Sequence, residues 1–211
     1  MAQVIKQELE NFSYVEACLH WSFMALTEIS YLNKERTPNE IRLVNGPPFQ
    51  FYRIALHYMF TMEYIKLMEG NNEKHRGNHY ASLEKLSAAV YKDKGLTFEQ
   101  HHKDNLEVLN RIKASSFFIK IKGDRDKKFA HTDVDNSTPF SFSSFSDDEI
   151  KQAYEHLNLF KSIMDRCTGM FDYDFAFQHP DTRTDNFIKF HTNYKEYYLA
   201  NYFDAISKGY H

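Results

Sequence analysis

Apolar side chains return every seven residues at Ile5, Phe12, Leu19 and Leu26, and Leu9, Phe23 and Ile29 widen that stripe into a face. The spacing predicts one long amphipathic helix over 2–33. It stops between Asn33 and Pro38, because proline inside a helix removes a backbone donor and clashes with the turn before it. Residues 39–44 have room for a short turn of helix before Asn45-Gly46-Pro47-Pro48 breaks the chain again. A second long helix is expected from about Pro48, which suits a first turn. It should run to about Glu69, ahead of the terminator Gly70-Asn71-Asn72. Phe51, Ile54, Leu56, Tyr58, Phe60, Met62, Ile65 and Leu67 make it apolar around much of its circumference, as in a helix central to a bundle.

The downstream pattern predicts a shorter helix over 81–93, carried by Leu83, Leu86, Ala89 and Val90 and closed by Gly95. The next helix is expected from Thr97 or Phe98 to Lys120, with Thr97 as its N-cap and Leu106, Leu109, Ile112 and Phe117 on its apolar side. Residues 133–146 read as a loop pinned to the core by Phe140, Phe142 and Phe145. Ser146-Asp147-Asp148-Glu149 is a capping box. It opens a strong helix to about Phe171, with Ile150, Leu157, Met164 and Phe171 in heptad register. A last helix is expected over 184–206, rich in Phe and Tyr. The predicted architecture is all-α, an up-and-down helical bundle over 1–175. An aromatic-rich C-terminal helical extension over 176–211 would pack on the bundle or on a second subunit.

Composition sharpens this picture. Gly and Pro number only 7 and 5 in 211 residues, too few for an all-β chain with many tight turns. The formal charge of −3 excludes a global basic field, so any contact with nucleic acid must use a local patch. Cys18 and Cys167 fall inside predicted helices, where buried thiols are the plain reading and no disulfide framework is implied. The acidic residues near the start do not read as a signal peptide. No stretch approaches the roughly 20 apolar residues of a membrane span. A cytoplasmic protein with no membrane contact is the expectation.

The chemistry concentrates in Arg125-Asp126-Lys127-Lys128-Phe129-Ala130-His131, followed by Thr132 and Asp133. An imidazole that exchanges protons near neutral pH and a guanidinium that holds phosphate are the groups needed to break a phosphodiester without a metal. On a regular helix, six residues would leave Arg125 and His131 about 120° apart. A shared site therefore needs a bend at a helix start or a second subunit across a twofold axis. Lys113, Lys120, Lys122, Lys127 and Lys128 are candidates to hold a nucleic-acid backbone, partly offset by Asp124 and Asp126.

An Arg, five intervening residues and a His, with polar Asp126 directly after the Arg and the ending Ala130-His131-Thr132-Asp133, set in an all-helical chain, resembles the HEPN superfamily. The ending is most similar to its abortive-infection branch. At the level of helix order the resemblance covers roughly residues 1–172, and at the level of residues only about 125–133. It implies a homodimer whose paired motifs line one cleft. It further implies a metal-independent endoribonuclease acting as a toxin or defence effector, with RNA as substrate, no cofactor and an antitoxin as a potential partner. Arg125 would stabilise the anionic transition state, His131 would move the proton, and Asp126 would orient either of them. One departure stands out. The toxin branch silenced by a nucleotidyltransferase carries a Tyr two residues after the His, where this chain has Asp133, so inhibition by tyrosine modification is not expected here.

Plainer readings stand beside this one. Arg125 can pair with Asp124, Asp126 or Asp133 on a solvated turn, and His131 can cap a helix or fill a polar niche. The chain would then be a non-catalytic HEPN-like module binding nucleotide, RNA or a partner protein, or a helical scaffold assembled through its aromatic tail. His75 and His79 have the i, i+4 spacing of a metal pair but lack a Cys or a clear carboxylate partner, so no metal site is assigned. His101-His102 reads as an exposed helix face.

Overall fold

The stripe that begins at Ile5 does produce one helix, α1 (Ala2–Leu32). From Phe12 onward, Val15, Leu19, Phe23, Leu26 and Ile29 all turn inward from it. The computed structural model describes residues 2–69, 82–126, 144–171 and 183–207. Among these, every regular element is helical, and the chain folds as an all-α bundle. The short turn before Asn45 is α2 (Pro38–Val44), opened by a capping box in which Thr37 and Glu40 satisfy each other's backbone N–H. The second long helix is α3 (Pro47–Met68), with proline in its first turn where no N–H is required. The Gly70-Asn71-Asn72 terminator lies outside the described residues, as do Phe140 and Phe142.

α3 runs antiparallel to α1 and makes its most extensive helix contact there. Arg53, early in α3, reaches the end of α1 at Leu32 and Asn33. Met68 and Leu67, late in α3, are buried, as expected for a central helix. Its first half is less enclosed than the apolar run suggests, because Phe51 is 75% exposed. After α4 (Leu83–Lys94) and a 3-10 turn, the expected single helix to Lys120 divides in two. These are α5 (Glu99–Lys113) and α6 (Ser116–Asp124). The break is made by Ser115, whose Oγ accepts from Phe118 N at 3.2 Å and donates to Ile112 O at 2.8 Å. One hydroxyl thereby finishes one helix and caps the next. Thr97 is not an N-cap either. Its hydroxyl donates to Lys94 O, and the residue before α5 is Phe98 in a helical conformation with no side-chain cap bond.

α7 (Asp147–Thr168) starts at the expected capping box of Ser146 and Glu149 and continues through a 3-10 turn to Phe171. It packs on α1 and on α4. α8 (Arg183–Ser207) lies against α2 and α1. Ile188 and Thr192 are buried there, and the Phe187 ring sits 6.1 Å from that of Phe49, while Phe190, Tyr194 and Tyr197 face outward.

Aromatic rings gather where α3, α6 and α7 meet. Phe60, Tyr64, Phe117, Phe145 and Phe160 are buried and in ring contact, most pairs tilted or edge-on as ring quadrupoles favour. Phe145 thus holds the chain entering α7 to the core. The fully buried Tyr64 hydroxyl finds a partner in His156 Nδ1 at 2.7 Å. Burial pushes the Tyr64 pKa up and that of His156 down, so both groups stay neutral. No described helix is long and apolar enough to cross a membrane.

Candidate functional site

Arg125 is carried to its position by α6. Phe117, Ile121 and Arg125 recur at four-residue steps, so they share one face of the helix. Phe117 and Ile121 are buried, which draws the base of Arg125 against the bundle and leaves its side chain 22% exposed. Arg125 is the C-terminal cap of α6, and the backbone widens into a π-type turn at 125–126. The motif therefore starts where α6 ends, and its remainder from Lys127 to His131 lies outside the described residues.

Two carboxylates grip the guanidinium. Nη1 donates to Glu69 Oε1 at 2.6 Å, and Nε donates to Asp126 Oδ1 at 2.8 Å, with Nη2 also 2.8 Å from that oxygen. Asp126 is the neighbour anticipated from sequence, and it orients Arg125 directly. Glu69 is the residue that sequence reading missed. It caps the C-terminus of α3, 56 positions away. One signal was present. A carboxylate at the negative end of a helix dipole is unfavourable unless a cation meets it. Asp124 and Asp133 were the other anticipated partners; Asp124 ends α6, and Asp133 lies outside the described residues.

The candidate phosphate-holding lysines divide. Lys120 bonds to Glu149, and its ammonium lies 5.6 Å from the Phe145 ring centroid, so it ties α6 to the start of α7. Burial alone would raise the Glu149 carboxyl, but the Lys120 ammonium and the Ser146 backbone N–H outweigh it and hold the pKa below its ordinary value. Lys113 is paired with Glu84 on α4 at 2.7 Å. Lys122 projects outward and is exposed. His131, Lys127 and Lys128 lie outside the described residues, as do His75 and His79. The described part of the motif is thus an oriented, part-exposed guanidinium with an exposed lysine close by in sequence. Its five N–H donors exceed the contacts made to Glu69 and Asp126. It can accept an oxyanion by sharing or exchanging those carboxylates.

Other candidate groups are structural. Cys18 and Cys167 are buried free thiols, and burial pushes each up to about 12, which removes them as nucleophiles at neutral pH. His101 is exposed as expected, but His102 is turned inward. Its Nδ1 lies 2.9 Å from Ser87 Oγ and its ring stacks on Tyr91 at 5.0 Å. Burial pushes the His102 pKa down against the opposing pull of Glu84. Asn105 donates to the same Ser87 oxygen at 2.9 Å and accepts from Arg166 Nε at 2.7 Å. This buried network joins α4, α5 and α7, and Ser87 is sealed from solvent. Among the described residues no cluster of His, Cys, Asp and Glu could hold a metal ion. The chain matches no protein-family model, and neither the curated proteins nor the solved structures include one significantly similar to it.

Proposed function

We propose that the chain is a metal-independent endoribonuclease of the HEPN type, dimeric, and acting as a toxin or defence effector. The observation that carries this reading is Arg125 itself, a part-exposed guanidinium at the end of α6 held in a fixed orientation by Glu69 and Asp126. In the reaction the RNA 2′-oxygen attacks the adjacent phosphorus and the bond from phosphorus to the 5′-oxygen breaks. The 2′-OH proton leaves to a base, a proton reaches the departing 5′-oxygen, and a cyclic phosphate and a 5′-OH result. His131 moves the proton, and Arg125 stabilises the phosphorane oxygens as negative charge builds on them. Asp126 and Glu69 aim the guanidinium. Lys122, Lys127 and Lys128 hold the flanking phosphates, and Lys120 joins them if it leaves Glu149.

The test is cleavage of an RNA panel by purified protein in excess chelator, wild type beside His131→Ala and Arg125→Ala. Removing a proton-transfer group should lower the rate about 100-fold or more. Cleavage lost in both variants supports the assignment. Cleavage that persists in His131→Ala, or that appears only with added metal, overturns it.

A second reading, a non-catalytic module that binds RNA, nucleotide or a partner protein, is favoured by one observation. Both carboxylates already occupy the guanidinium. It predicts RNA binding that survives His131→Ala, with no cleavage by folded wild type across the panel.

A further inference from the structure

Among the described residues, α8 exposes more Phe, Tyr and Trp rings than any other helix. Phe187, Phe190, Tyr194 and Tyr197 are each between 51% and 69% exposed. Their steps of three, four and three residues set them along one stripe of the helix. The Phe190 and Tyr194 rings are stacked, with centroids 6.5 Å apart, so the stripe forms a continuous surface. Ile188 and Thr192 are buried on the other side and dock this part of α8, which lies against α2 and α1. At about 200 Å² for each aromatic side chain, the four rings expose roughly 500 Å². That is a large apolar patch for the surface of a monomer.

The second half of α8 adds a separate observation. After Thr192, every described side chain is exposed, namely Asn193, Tyr194, Tyr197, Leu199, Ala200 and Asn201. Leu199 falls on the same side of the helix as Ile188 and Thr192, yet it is 41% exposed. Among the described residues, the support of the bundle thus stops at Thr192, well before the helix ends at Ser207. Tyr and Asn are only middling helix formers, and a helix of a few turns is marginal in water without packing.

The pattern of the stripe identifies what packs there. Phe187, Phe190, Tyr194, Tyr197 and Asn201 occupy the a and d places of a heptad, the seam along which two helices pair. The flanking e and g places hold Asn186, His191, Asn193, Tyr198 and Ala200, with no carboxylate or ammonium among them. Lys189, Lys195 and Glu196 fall at b and c places, away from the seam. Two identical helices can therefore meet here without a fixed charge facing its own copy. A face for nucleic acid would instead set cations beside the rings.

We propose that α8 pairs with α8 of a second copy along this seam. Mutual burial of the rings removes roughly 1,000 Å² from water in all, the size at which a pairing becomes specific. It also gives the second half of each helix the packing that its own bundle does not supply. The inference does not rest on the reading of Arg125. The seam starts at Phe187, beside Phe49, and at 1.5 Å per residue Phe49 is about 30 Å along α3 from Glu69.

The experiment is sedimentation velocity of the full chain over a range of concentrations, wild type beside Phe190→Glu, Tyr197→Glu, Phe190→Leu and Lys189→Glu. Wild type should self-associate with micromolar or tighter affinity. Each Glu in the seam faces its own copy and should weaken association tenfold or more. Phe190→Leu keeps an apolar knob, and Lys189→Glu lies off the seam, so both should associate like wild type. Phe190 and Tyr197 are exposed in the single copy, so helical circular dichroism at low concentration should be unchanged in every variant. A wild type that stays monomeric at about 100 µM overturns the proposal, and binding of poly(U) by that monomer through the same rings would give the face to nucleic acid. Association unchanged in both seam Glu variants also overturns it, and leaves a pairing through the Arg125 motif untouched.

Discussion

Tyr64 and Glu69 stand five residues apart on α3, and each meets a partner from another helix, yet their surroundings are opposite. The Tyr64 hydroxyl meets His156 among the rings of Phe60, Phe117 and Phe160, where both partners are neutral and largely shielded from water. Glu69 meets Arg125 at the rim, where both are charged and both are partly solvated. A neutral buried pair stabilises and has no alternative partner. A solvated ion pair contributes little to stability, and a ligand can exchange with it. The first region therefore holds the fold, while the second contributes little to it.

The hardest test of that contrast is Phe60→Ala. Phe60 is fully buried at the centre of the aromatic cluster, so the lost contacts and the cavity should cost about 3–5 kcal/mol in urea unfolding. A loss under about 1 kcal/mol would mean that the cluster is not the organising core. Tyr64→Phe keeps the ring and removes only the hydroxyl. It leaves a buried ring nitrogen of His156 without its partner, and about 1–3 kcal/mol should be lost.

The same pair sets a pH dependence. The folded-state pKa of His156 lies below its ordinary 6.5, because burial penalises the charged ring. Below that ordinary value the unfolded chain binds more protons than the folded one. The contribution is therefore complete above pH 6.5 and is lost as pH falls through 6.5 toward the folded pKa. His102 acts in the same direction. Melting temperature should be flat above neutrality and decline from pH 7 to pH 5, with a shallower decline in His156→Asn. An equal decline in that variant would place the dependence elsewhere. Glu149 works lower on the scale. Its depressed pKa adds stability above the ordinary carboxylate range, and this is lost as pH falls further.

The smallest effect on stability is expected at the rim. Glu69→Gln should change it by less than about 1 kcal/mol, since the pair is solvated. The same change frees one side of Arg125 and should raise RNA affinity a few-fold at low salt, with the gain fading as salt rises. Titration of a fluorescent RNA at two salt concentrations measures this. A Glu69→Gln protein that unfolds easily would erase the distinction between the two regions.

Where the determinants were local, the chain could be read directly. The stripe through Phe12, Leu19 and Leu26 places α1 because helical period and burial coincide. The box of Ser146 and Glu149 places the start of α7 because both partners lie within one turn. The split at Ser115 was harder. Ala114 favours helix, and Leu109, Ile112 and Phe117 are all apolar. The signal was a slip of phase, since the five-residue step from Ile112 to Phe117 leaves the face that Leu109 and Ile112 share. Thr97 misled because a hydroxyl near a helix start is only a cap when its backbone is extended, and here it bonds back to Lys94. His102 misled because its inward turn depends on Ser87 of another helix. Of the candidate site, the contact between Asp126 and Arg125 was legible from adjacency, while that of Glu69 with Arg125 was not.

The sequence by itself therefore determined the all-α class, most helix bounds, the aromatic C-terminal helix and the place of the Arg125 motif. These follow from periodicity, caps and breakers acting over a few residues. Only the tertiary structure decided which charges are engaged. It gave Glu69 to Arg125 across 56 positions and Glu149 to Lys120 across 29. Charge is a property of a residue type. Its pairing and hydration depend on which helix ends the packing brings together, and that packing is directed by apolar faces that carry no information about the charges at their edges.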